Sequence, residues 1–435
     1  MKRRSSLPQI TVVGGGYVGL ATAVFLADKE LPTTVLEKKP DRAAALSKGH
    51  LHFREPLLER TLKQTLRKGS IHICRPSPEA FISADYVFIA IDSADLSTGR
   101  MRLGSFEQMA QWIGGARSRR LKTIVLKSTN RIGFAATFDR MVNRPGARKK
   151  ANVVVNPEFL REGYAYEDTS QPWRIIVGAK EKPAANALVR LYRSVYGRRI
   201  PVIVTDWESA ELIKLGANVY LAHRLGFIHE MADFARMHDL DLEGIKQGIG
   251  LDPRIGLDYF EPGLGFGGSC LPKDCRLINS SESANKFEFL TAQTALAINE
   301  RLLDNLVQRL HHHLGRLKGL KLALLGVAFK PEVDDTRNSQ AVRLALKLKD
   351  RGATVVCYDP YLVGHSRVPD TNLPLENDIT RVVKSATALI VGTAHREFRR
   401  LAPRQIGRRM ARKLVCDCFN ILNRKSWTQA GFEFI

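Results

Sequence analysis

Four glycines in six residues lead directly into a cysteine in the stretch Gly263-Leu-Gly-Phe-Gly-Gly-Ser-Cys270. Glycine adopts positive φ angles without steric cost and lets the backbone come close to a ligand, but it loses more entropy on folding than other residues. Such a run is therefore either a plain turn or a ligand-binding loop. In the second case, the loop would present a thiol to the ligand.

A second glycine pattern, Gly14-x-Gly16-x-x-Gly19, stands between a β-branched run and an alanine-rich amphipathic segment. Glu37 ends the next predicted strand, 23 residues after Gly14, where a carboxylate would accept the ribose hydroxyls of a dinucleotide. An ordinary strand-to-helix turn would not require that acid. Because a carboxylate repels a 2′-phosphate, the pattern predicts NAD as the cofactor in preference to NADP.

Two further groups of polar residues leave their role open. Glu158 and Glu162 lie four residues apart in Asn156-Pro-Glu-Phe-Leu-Arg-Glu-Gly163, directly after a predicted strand. They belong either to a site at the end of that strand or to a capped helix start with solvated carboxylates. Lys214 and Asn218 are one turn apart in a predicted helix and would share a face, which is either a surface or a site.

The elements that must position these residues follow from the apolar pattern. Short buried runs alternate with helical stretches over the first 200 or so residues, which is typical of a doubly wound parallel sheet. Long helical stretches follow at 208–238 and 284–313, and the alternation then restarts. The predicted strands are residues 9–13, 33–37, 84–91, 122–127, 151–155, 321–326, 353–359, 388–392 and 413–417.

These elements predict an α/β protein with two Rossmann-like doubly wound parallel-sheet domains, joined by a central helical domain that contains a long helix. The predicted boundaries are 1–206 for a dinucleotide-binding domain, 207–316 for the central domain with the cysteine loop, and 317–435 for a second ligand-binding domain. A chain of 435 residues is too long for one core, which agrees with several domains.

Composition narrows the class of protein. With 44% hydrophobic and 26% charged residues the chain is typical of a globular protein, and no apolar run reaches the length of a membrane-spanning helix. The basic start Met1-Lys-Arg-Arg4 leads into a predicted strand instead of the apolar stretch of a secretion signal, so we expect a cytoplasmic protein. The six cysteines show no metal-ligand spacing, and we predict no metal site.

The net charge of +23 raises nucleic acid as a partner, since a basic surface attracts phosphate non-specifically. The basic clusters at 117–122, 144–150 and 399–413 are scattered, however, and lack interleaved aromatic residues. They indicate a solvated surface, and an anionic small substrate would explain part of the excess. We therefore expect no specific nucleic acid and no membrane among the partners.

Taken in order, the motifs resemble those of the UDP-glucose/GDP-mannose 6-dehydrogenase family over nearly the whole chain. The cysteine loop with its Lys-Asp tail is the most diagnostic of them. The matching stretches are residues 14–20, 127–129, 156–163, 211–218, 252–254, 263–274, and 329–330 with 334–337.

The resemblance implies a four-electron oxidation, in which a primary alcohol on a nucleotide sugar becomes a carboxylate and two NAD are reduced. Cys270 matches the family nucleophile. Its thiolate would add to the intermediate aldehyde as a thiohemiacetal, which loses hydride to give a thioester that water hydrolyses. The glycines would then let the backbone wrap the sugar and present the sulfur to its C6 atom.

The other catalytic roles come from the same resemblance. Lys214 and Asn218 match the pair that stabilises oxyanions, since a cation and an amide donor favour developing negative charge. Asp274 and Thr129 match the residues that handle the water and the proton. Glu158 matches the acid/base that hydrolyses the thioester.

Ligand contacts are also implied. Arg254 matches an arginine that reaches the substrate, in the family often across a subunit boundary, and a homodimer or higher homo-oligomer is expected. The implied cofactor contacts are Gly14, Gly16, Tyr17, Val18, Gly19, Glu37, Arg42, Ser93, Thr129, Glu162 and Arg337. The implied substrate contacts are Glu158, Phe159, Leu160, Arg161, Lys214, Arg254, Phe266, Gly267 and Lys330.

Three loops depart from the family pattern. Ile91-Asp-Ser-Ala94 and Asn130-Arg131 stand where the family commonly has Thr-Pro and Val-Pro, and Asp417-Cys-Phe-Asn420 replaces Asp-Gly-Arg-Asn, so that Phe419 takes the place of a substrate-contacting arginine. UDP-glucose, oxidised to UDP-glucuronate, is the favoured substrate because Phe159-Leu-Arg-Glu-Gly163 and Arg174-Ile-Ile-Val-Gly178 resemble that branch. GDP-mannose, a UDP-N-acetylhexosamine or a non-catalytic nucleotide-binding homologue are the alternatives.

Overall fold

The computed structural model describes residues 7–116, 122–145, 151–280 and 287–435. The chain divides into two compact units: one holds residues 1–217 and 277–288, the other residues 218–276 and 289–435. The basic start of the chain and most of the basic stretches at 117–122 and 144–150 lie outside the described residues.

The first unit is built on one sheet, which has eight strands within the described residues. Strands β1 to β8 are Ile10–Val13, Thr33–Leu36, Ile71–Cys74, Tyr86–Ile89, Thr123–Leu126, Asn152–Val155, Ile175–Ala179 and Val202–Thr205. Their order in the sheet is β3-β2-β1-β4-β5-β6-β7-β8, and β1 pairs in parallel with β2 and with β4. The chain therefore reverses its direction of winding between β1 and β4, the place where such sheets bind ligands.

Helices cover both faces of this sheet. Val12 and Val13, neighbours on β1, are both buried, and they belong to two different apolar clusters because successive side chains of a strand point to opposite faces. The helices α1 to α7 are Tyr17–Asp28, Pro40–Ser47, Pro56–Lys68, Gly104–Gly115, Phe134–Val142, Ala165–Ser170 and Lys182–Tyr196.

One pair of strands departs from the predicted parallel arrangement. Strand β7 runs antiparallel to β6, with Val155 opposite Gly178, whereas β7 and β8 are parallel. The connection from β6 to β7 turns back at the edge where β6 ends, and an antiparallel neighbour needs no crossover to the opposite edge. The sequence pattern did not predict β3, β7 or β8.

A long helix, α8 (Trp207–Met237), passes from the first unit into the second, within a residue of the predicted helical stretch at either end. The second unit continues with α9 (Leu242–Gly250), the glycine loop, α10 (Leu271–Leu277) and α11 (Leu290–Leu314). The predicted helical residues 284–286 lie outside the described part of the chain.

The second unit closes on a parallel sheet, for which the described residues supply five strands in the order β10-β9-β11-β12-β13. Its strands β9 to β13 are Lys321–Leu325, Thr354–Tyr358, Ala388–Val391, Leu414–Asp417 and Glu433–Phe434. Its helices α12 to α15 are Gln340–Asp350, Ile379–Val383, Pro403–Gly407 and Arg424–Gln429. The predicted fold class, with two wound sheets and a helical middle, is confirmed, and within the described residues no helix meets the length and hydropathy of a membrane span.

Candidate active site

The turn between β1 and α1 requires glycine at two positions. Gly14 has a φ of +112°, and a Cβ atom there would lie 2.2 Å from the carbonyl oxygen of Ala90. A Cβ atom at Gly19 would lie 1.9 Å from the oxygen of Gly14. A Cβ at Gly16, in contrast, would meet nothing within 4 Å. The turn is therefore tight where it packs on the sheet and open at the start of α1, where backbone amides attract a pyrophosphate.

The acid predicted to complete this turn lies beside it. Glu37 follows β2 and is 6% exposed, and its carboxylate accepts hydrogen bonds from the amides of Gly15 at 3.1 Å and Lys39 at 2.8 Å. A carboxylate fixed next to an open glycine turn suits a ribose and repels a 2′-phosphate. These residues fit NAD.

Other predicted cofactor contacts lie on neighbouring elements of the same unit. The Ser93 hydroxyl donates to the carbonyl oxygen of Thr129, so the loops that follow β4 and β5 are joined. The ring of Tyr17, at the start of α1, stacks on Phe53 with centroids 3.8 Å apart. Arg42 is a partly buried residue on α2.

A group of polar side chains, which we call the edge cluster (Lys127, Asn156, Glu158 and Lys214), lies where β5 and β6 end. Lys127 and Asn156 are the first residues after these strands, and the Lys127 ammonium donates to the Asn156 side-chain oxygen at 3.0 Å. Glu158 and Lys214 form an ion pair at 3.0 Å, with side chains 8% and 5% exposed. Lys214 comes from α8, so a helix supplies the cation that pairs with Glu158.

The environment of the edge cluster shifts the pKa values of Glu158 and Lys127. Burial opposes ionisation of Glu158, but Lys214 and the Leu160 amide hold the pKa of its carboxyl below the ordinary value. Burial lowers the pKa of Lys127 to about 8, although Glu158 attracts its charge. The cluster thus combines the buried Glu158 carboxylate with the Lys127 ammonium, which loses its proton as the pH rises through about 8.

The residues after Glu158 line the same edge. The ring of Phe159 carries the Arg174 guanidinium 3.8 Å from its centroid and the Lys214 ammonium at 5.3 Å. Arg161 is held by both oxygens of Asp168, at 3.0 and 2.7 Å. The predicted contacts Leu160 and Glu162 are partly buried in this loop.

The glycine loop of the second unit is packed at the positions where glycine recurs. A Cβ atom at Gly265, whose φ is +114°, would lie 2.2 Å from the side-chain oxygen of Asn299. The Asn299 amide group pairs with both backbone groups of Phe266, at 2.7 and 2.9 Å. A Cβ atom at Gly268 would lie 2.7 Å from the ring of Phe329. The glycines let the loop pack against α11 and the segment that follows β9.

Cys270 ends this loop and remains exposed. Its carbonyl accepts the amide of Asp274 at 2.8 Å at the start of α10, and its sulfur lies 3.6 Å from the Ser269 hydroxyl. Asp274 is 1% exposed, accepts the side-chain amide of Asn218 at 2.6 Å, and pairs with Lys273. All six cysteines lie in the described residues and are thiols.

Three predicted ligand contacts of the second unit lie on loops. Lys330 is partly buried, with its ammonium 5.9 Å from the centroid of the Phe329 ring. Arg337 pairs through its Nε atom with both oxygens of Asp335, at 3.0 and 2.9 Å. The Arg254 side chain, 87% exposed, pairs with Asp252 at 2.6 Å.

Three family models match successive parts of the chain. The NAD binding domain of the UDP-glucose/GDP-mannose dehydrogenase family matches residues 8–196, its central domain residues 208–301, and its UDP binding domain residues 323–424. The chain belongs to the UDP-glucose/GDP-mannose dehydrogenase family. It is an NAD-dependent nucleotide-sugar dehydrogenase, as the resemblance of its motifs predicted.

Individual relatives of the dehydrogenase span its whole length. A UDP-glucose 6-dehydrogenase of Rhizobium meliloti is 31% identical, with 98% of each chain covered. The solved structure of a UDP-glucose dehydrogenase from Pyrobaculum islandicum is 32% identical with a TM-score of 0.90, covering 98% of this chain and 97% of that one. A UDP-D-ManNAc dehydrogenase structure from Pyrococcus horikoshii is 26% identical with a TM-score of 0.85 and 98% coverage of both chains.

Several predicted site residues come from distant parts of the sequence and lie together in the structure. Glu158 meets Lys214 in the first unit, and Asn218 meets Asp274 in the second. Motif reasoning gave no role to Lys127 or Asn299. Lys127 was signalled by its position as the last residue of a predicted strand, whereas Asn299 lies in a helix with no local signal. Among the described residues no group of metal-ligating side chains occurs.

Proposed function

We propose that this dehydrogenase oxidises the C6 hydroxyl of UDP-glucose to a carboxylate through a thiohemiacetal and a thioester at Cys270. The observation that carries the proposal is the exposed thiol of Cys270. It stands at the end of a glycine loop in which Gly265 packs against Asn299 and Gly268 packs against Phe329. The overall change consumes one water and two NAD, and yields UDP-glucuronate as the carboxylate, two NADH and three protons. The predicted assignments of the site residues are part of this proposal.

In the first oxidation the alcohol would pass a proton to a water that we assign to Asp274 and Thr129, and its carbon loses a hydride. NAD, when bound at the glycine turn, accepts that hydride. Lys214, with Asn218 one helical turn further along α8, would stabilise the negative charge that develops on the sugar oxygen. The ion pair with Glu158 supports this role, because it holds the buried Lys214 ammonium in a fixed position, 3.0 Å from a carboxylate.

The second oxidation needs a carbon that again carries hydrogen and oxygen. The Cys270 thiolate would form a C–S bond to the aldehyde carbon while the carbonyl π pair moves to oxygen and takes a proton. Loss of a second hydride and of the hydroxyl proton turns this thiohemiacetal into a thioester. The glycine loop supports the step because its rigid packing fixes where the sulfur stands.

Hydrolysis then releases the product. Water adds to the thioester carbon, the C–S bond breaks with its electron pair on sulfur, and the acid leaves as a carboxylate. We assign the proton transfers to Glu158, with Asp274 and Thr129 handling the water. Glu158 is held as a carboxylate by Lys214, and Asp274 accepts a hydrogen bond from Asn218, so both are acceptors ready to orient a water.

The choice of UDP-glucose over other nucleotide sugars is tested by following NADH absorbance with UDP-glucose, GDP-mannose and a UDP-N-acetylhexosamine under the same conditions. We expect about two NADH per UDP-glucose and a kcat/KM at least about tenfold higher than for the other two, since one missing polar contact costs about this factor. A higher value for GDP-mannose would transfer the proposal to that alternative. No NADH from any sugar would leave a non-catalytic nucleotide-binding homologue.

A second copy of the chain is the proposed partner. Tyr220, Phe227 and Phe234 are spaced by seven residues on α8 and are 59%, 39% and 55% exposed. Aromatic side chains in such a row are costly in water and favour an interface. Light scattering should give the mass of a dimer, and Phe234→Ser should shift the population towards half that mass, whereas Leu346→Ser, at an exposed position of α12, should not.

Two expectations from the sequence belong to this proposal. We infer the three-part organisation with boundaries at 206 and 316, which the order of the family models supports. We also infer a cytoplasmic enzyme, since six cysteines kept as thiols agree with a reducing compartment. Localisation of a tagged chain by fractionation tests the second inference.

A further inference from the structure

Within the second unit, a buried Asp–His pair lies behind the segment that carries Lys330. Asp359 follows β10 and His395 follows β11, so both stand at the edge of the sheet where its strands end. Their side chains are fully buried, with His395 Nε2 3.2 Å from Asp359 Oδ2. Sequence motifs gave neither residue a role.

Both side chains bind backbone groups of one segment, residues 326–339, which we call the lysine loop. The Asp359 carboxylate accepts the amides of Val327 at 2.8 Å and Ala328 at 3.0 Å. His395 Nδ1 accepts the amide of Glu332 at 3.1 Å. The two buried groups therefore hold the lysine loop on both sides of Phe329 and Lys330.

Donor and acceptor roles define the form of the histidine. A backbone N–H can only donate, so Nδ1 carries a lone pair and the proton of the neutral ring is on Nε2, directed at Asp359. Burial opposes ionisation of Asp359, but His395 and the loop amides hold the pKa of its carboxyl below the ordinary value. The pair is thus a directional chain from carboxylate through ring to loop amide.

Other contacts tighten the same segment. The Thr393 hydroxyl donates to the Ala328 carbonyl at 2.6 Å. Glu332 has a φ of +66°, a conformation that costs a non-glycine residue energy, and its carboxylate accepts the Tyr361 hydroxyl at 2.6 Å and the Arg396 amide at 3.0 Å. Glu332 keeps this unfavourable conformation because these hydrogen bonds hold it, which indicates that the lysine loop is fixed in one position.

The lysine loop in turn supports the cysteine loop. The Gly268 amide donates to the Arg337 carbonyl at 3.1 Å, and the Asn338 side chain donates to the Gly268 carbonyl at 3.2 Å. Phe329 packs under Gly268, two residues before Cys270. A continuous path of contacts therefore runs from Asp359 and His395 through the lysine loop to the nucleophile.

We propose that His395, oriented by Asp359, is a positioning residue that fixes Lys330 for the nucleotide sugar and the glycine loop for Cys270. A buried carboxylate costs desolvation energy that well-packed apolar groups would avoid, so the place of Asp359 and His395 behind this loop suits positioning better than core stability. The inference rests on the proposed function, because it takes Lys330 as a substrate contact.

Three variants of His395 test separately its hydrogen bond to Asp359 and its hydrogen bond to Glu332. In His395→Gln the amide nitrogen can replace Nε2 and keep Asp359, whereas in His395→Asn the oxygen can replace Nδ1 and keep Glu332. His395→Leu loses both. We expect the KM for the nucleotide sugar to rise about tenfold in His395→Leu and less in the other two, with the KM for NAD within about twofold of wild type.

The reactivity of the Cys270 thiol provides a second measurement that does not depend on enzyme activity. The rate of Cys270 alkylation by iodoacetamide, measured on its peptide by mass spectrometry, should change at least about threefold in His395→Leu as the glycine loop loses its support. Val382→Ala, which trims a buried side chain of the same unit outside the loop, is the control for lost stability. It should lower the melting temperature without changing the sugar KM or the alkylation rate.

If His395→Leu matches Val382→Ala in both sugar KM and alkylation rate, the positioning role is refuted and the pair is structural only. If NAD and sugar KM rise together in all three variants, the effect is general and the proposal also fails. An enzyme that reduces no NAD with any sugar would refute the proposed function instead, and the alkylation rate would still test the support of the loop.

Discussion

The edge cluster of the first unit and the glycine loop of the second hold their functional groups in different ways. The edge cluster uses buried charges, in which Glu158 and Lys214 pair at 3.0 Å and Lys127 stands beside them. The glycine loop is held by the amide of Asn299 and by backbone groups, with its glycines pressed against side chains. The stability of the edge cluster therefore depends on the protonation of its side chains, whereas that of the glycine loop depends on close packing and on hydrogen bonds between uncharged groups.

This difference agrees with the task that we propose for each region. Stabilising an oxyanion needs a charge that is already oriented and shielded from water, which a buried ion pair provides. Presenting a nucleophile needs a backbone in a fixed position, which hydrogen bonds and close packing provide. Substitutions should therefore separate the two regions by what they change.

The largest effect is expected at the nucleophile itself. Cys270→Ser should slow the second oxidation by about a thousandfold or more, because a serine hydroxyl is a far weaker nucleophile, while the first oxidation persists and an aldehyde-level intermediate stays bound. Single-turnover formation of NADH measures the two steps. Cys74→Ser, which changes the other exposed cysteine, is the matched control. Equal rates in Cys270→Ser and wild type would remove Cys270 from the mechanism.

Breaking the charged pair should mainly affect stability and oxyanion chemistry. Lys214→Met leaves the Glu158 carboxylate buried without its cation and should lower the free energy of unfolding by about 3–5 kcal/mol at pH 7. The double variant Lys214→Met/Glu158→Gln should recover only part of that loss, since it removes the unpaired Glu158 carboxylate but also takes from Lys127 the charge that attracts it. Urea unfolding measures both, with exposed Lys182→Met as the control. A double variant no more stable than the single one would contradict the role of the pair.

Loosening the glycine loop should change packing instead of charge. Asn299→Ala leaves the backbone N–H and C=O of Phe266 buried without their partner, at a cost of about 2 kcal/mol, and opens a space next to Gly265. Urea unfolding measures the loss at pH 6 and pH 8, where we expect the same value. Gln308→Ala, an exposed change on the same helix, should cost little. A loss that varies with pH would show that the loop also depends on charge.

A pH-dependent effect is expected at Glu211, on the α8 face that also carries Lys214. Burial raises the pKa of this carboxyl to about 7. The carboxyl accepts hydrogen bonds from the amides of Gly133 at 2.6 Å and Ala135 at 2.8 Å, and these bonds act in the opposite direction by lowering the pKa. The folded state then holds the proton more tightly than the unfolded state. Its contribution to stability is complete below the unfolded pKa and is lost as the pH rises through about 7.

Urea unfolding between pH 5 and 8 measures this contribution. Glu211→Gln should reduce the decline of unfolding free energy between pH 5 and pH 8 by about 2–3 kcal/mol, whereas exposed Glu208→Gln on the same helix should leave the slope unchanged. A slope equal to wild type in Glu211→Gln would assign the pH dependence to another group.

Much of the fold could be read from local patterns. The strand, glycine turn, helix and second strand ending in Glu37 were predicted because each is a steric or periodic property of a few neighbouring residues. The long helix α8 was predicted within a residue at either end. The edge strand β3 was missed because His72 breaks its apolar run, and β8 was missed because its apolar run, residues 202–204, is short; half of the residues in each strand face solvent.

Sequence by itself determined the order of the elements, the glycine turn that fits NAD, and the cysteine that ends a loop, since these depend on residues next to one another. Tertiary structure alone decided that Lys214 neutralises Glu158, that Asn299 fills the space at Gly265, and that Asp359 and His395 stand behind Lys330. These contacts join residues from different strands and helices. Which of them meet is fixed by the order of strands in each sheet, a property of the folded chain that no local pattern contains.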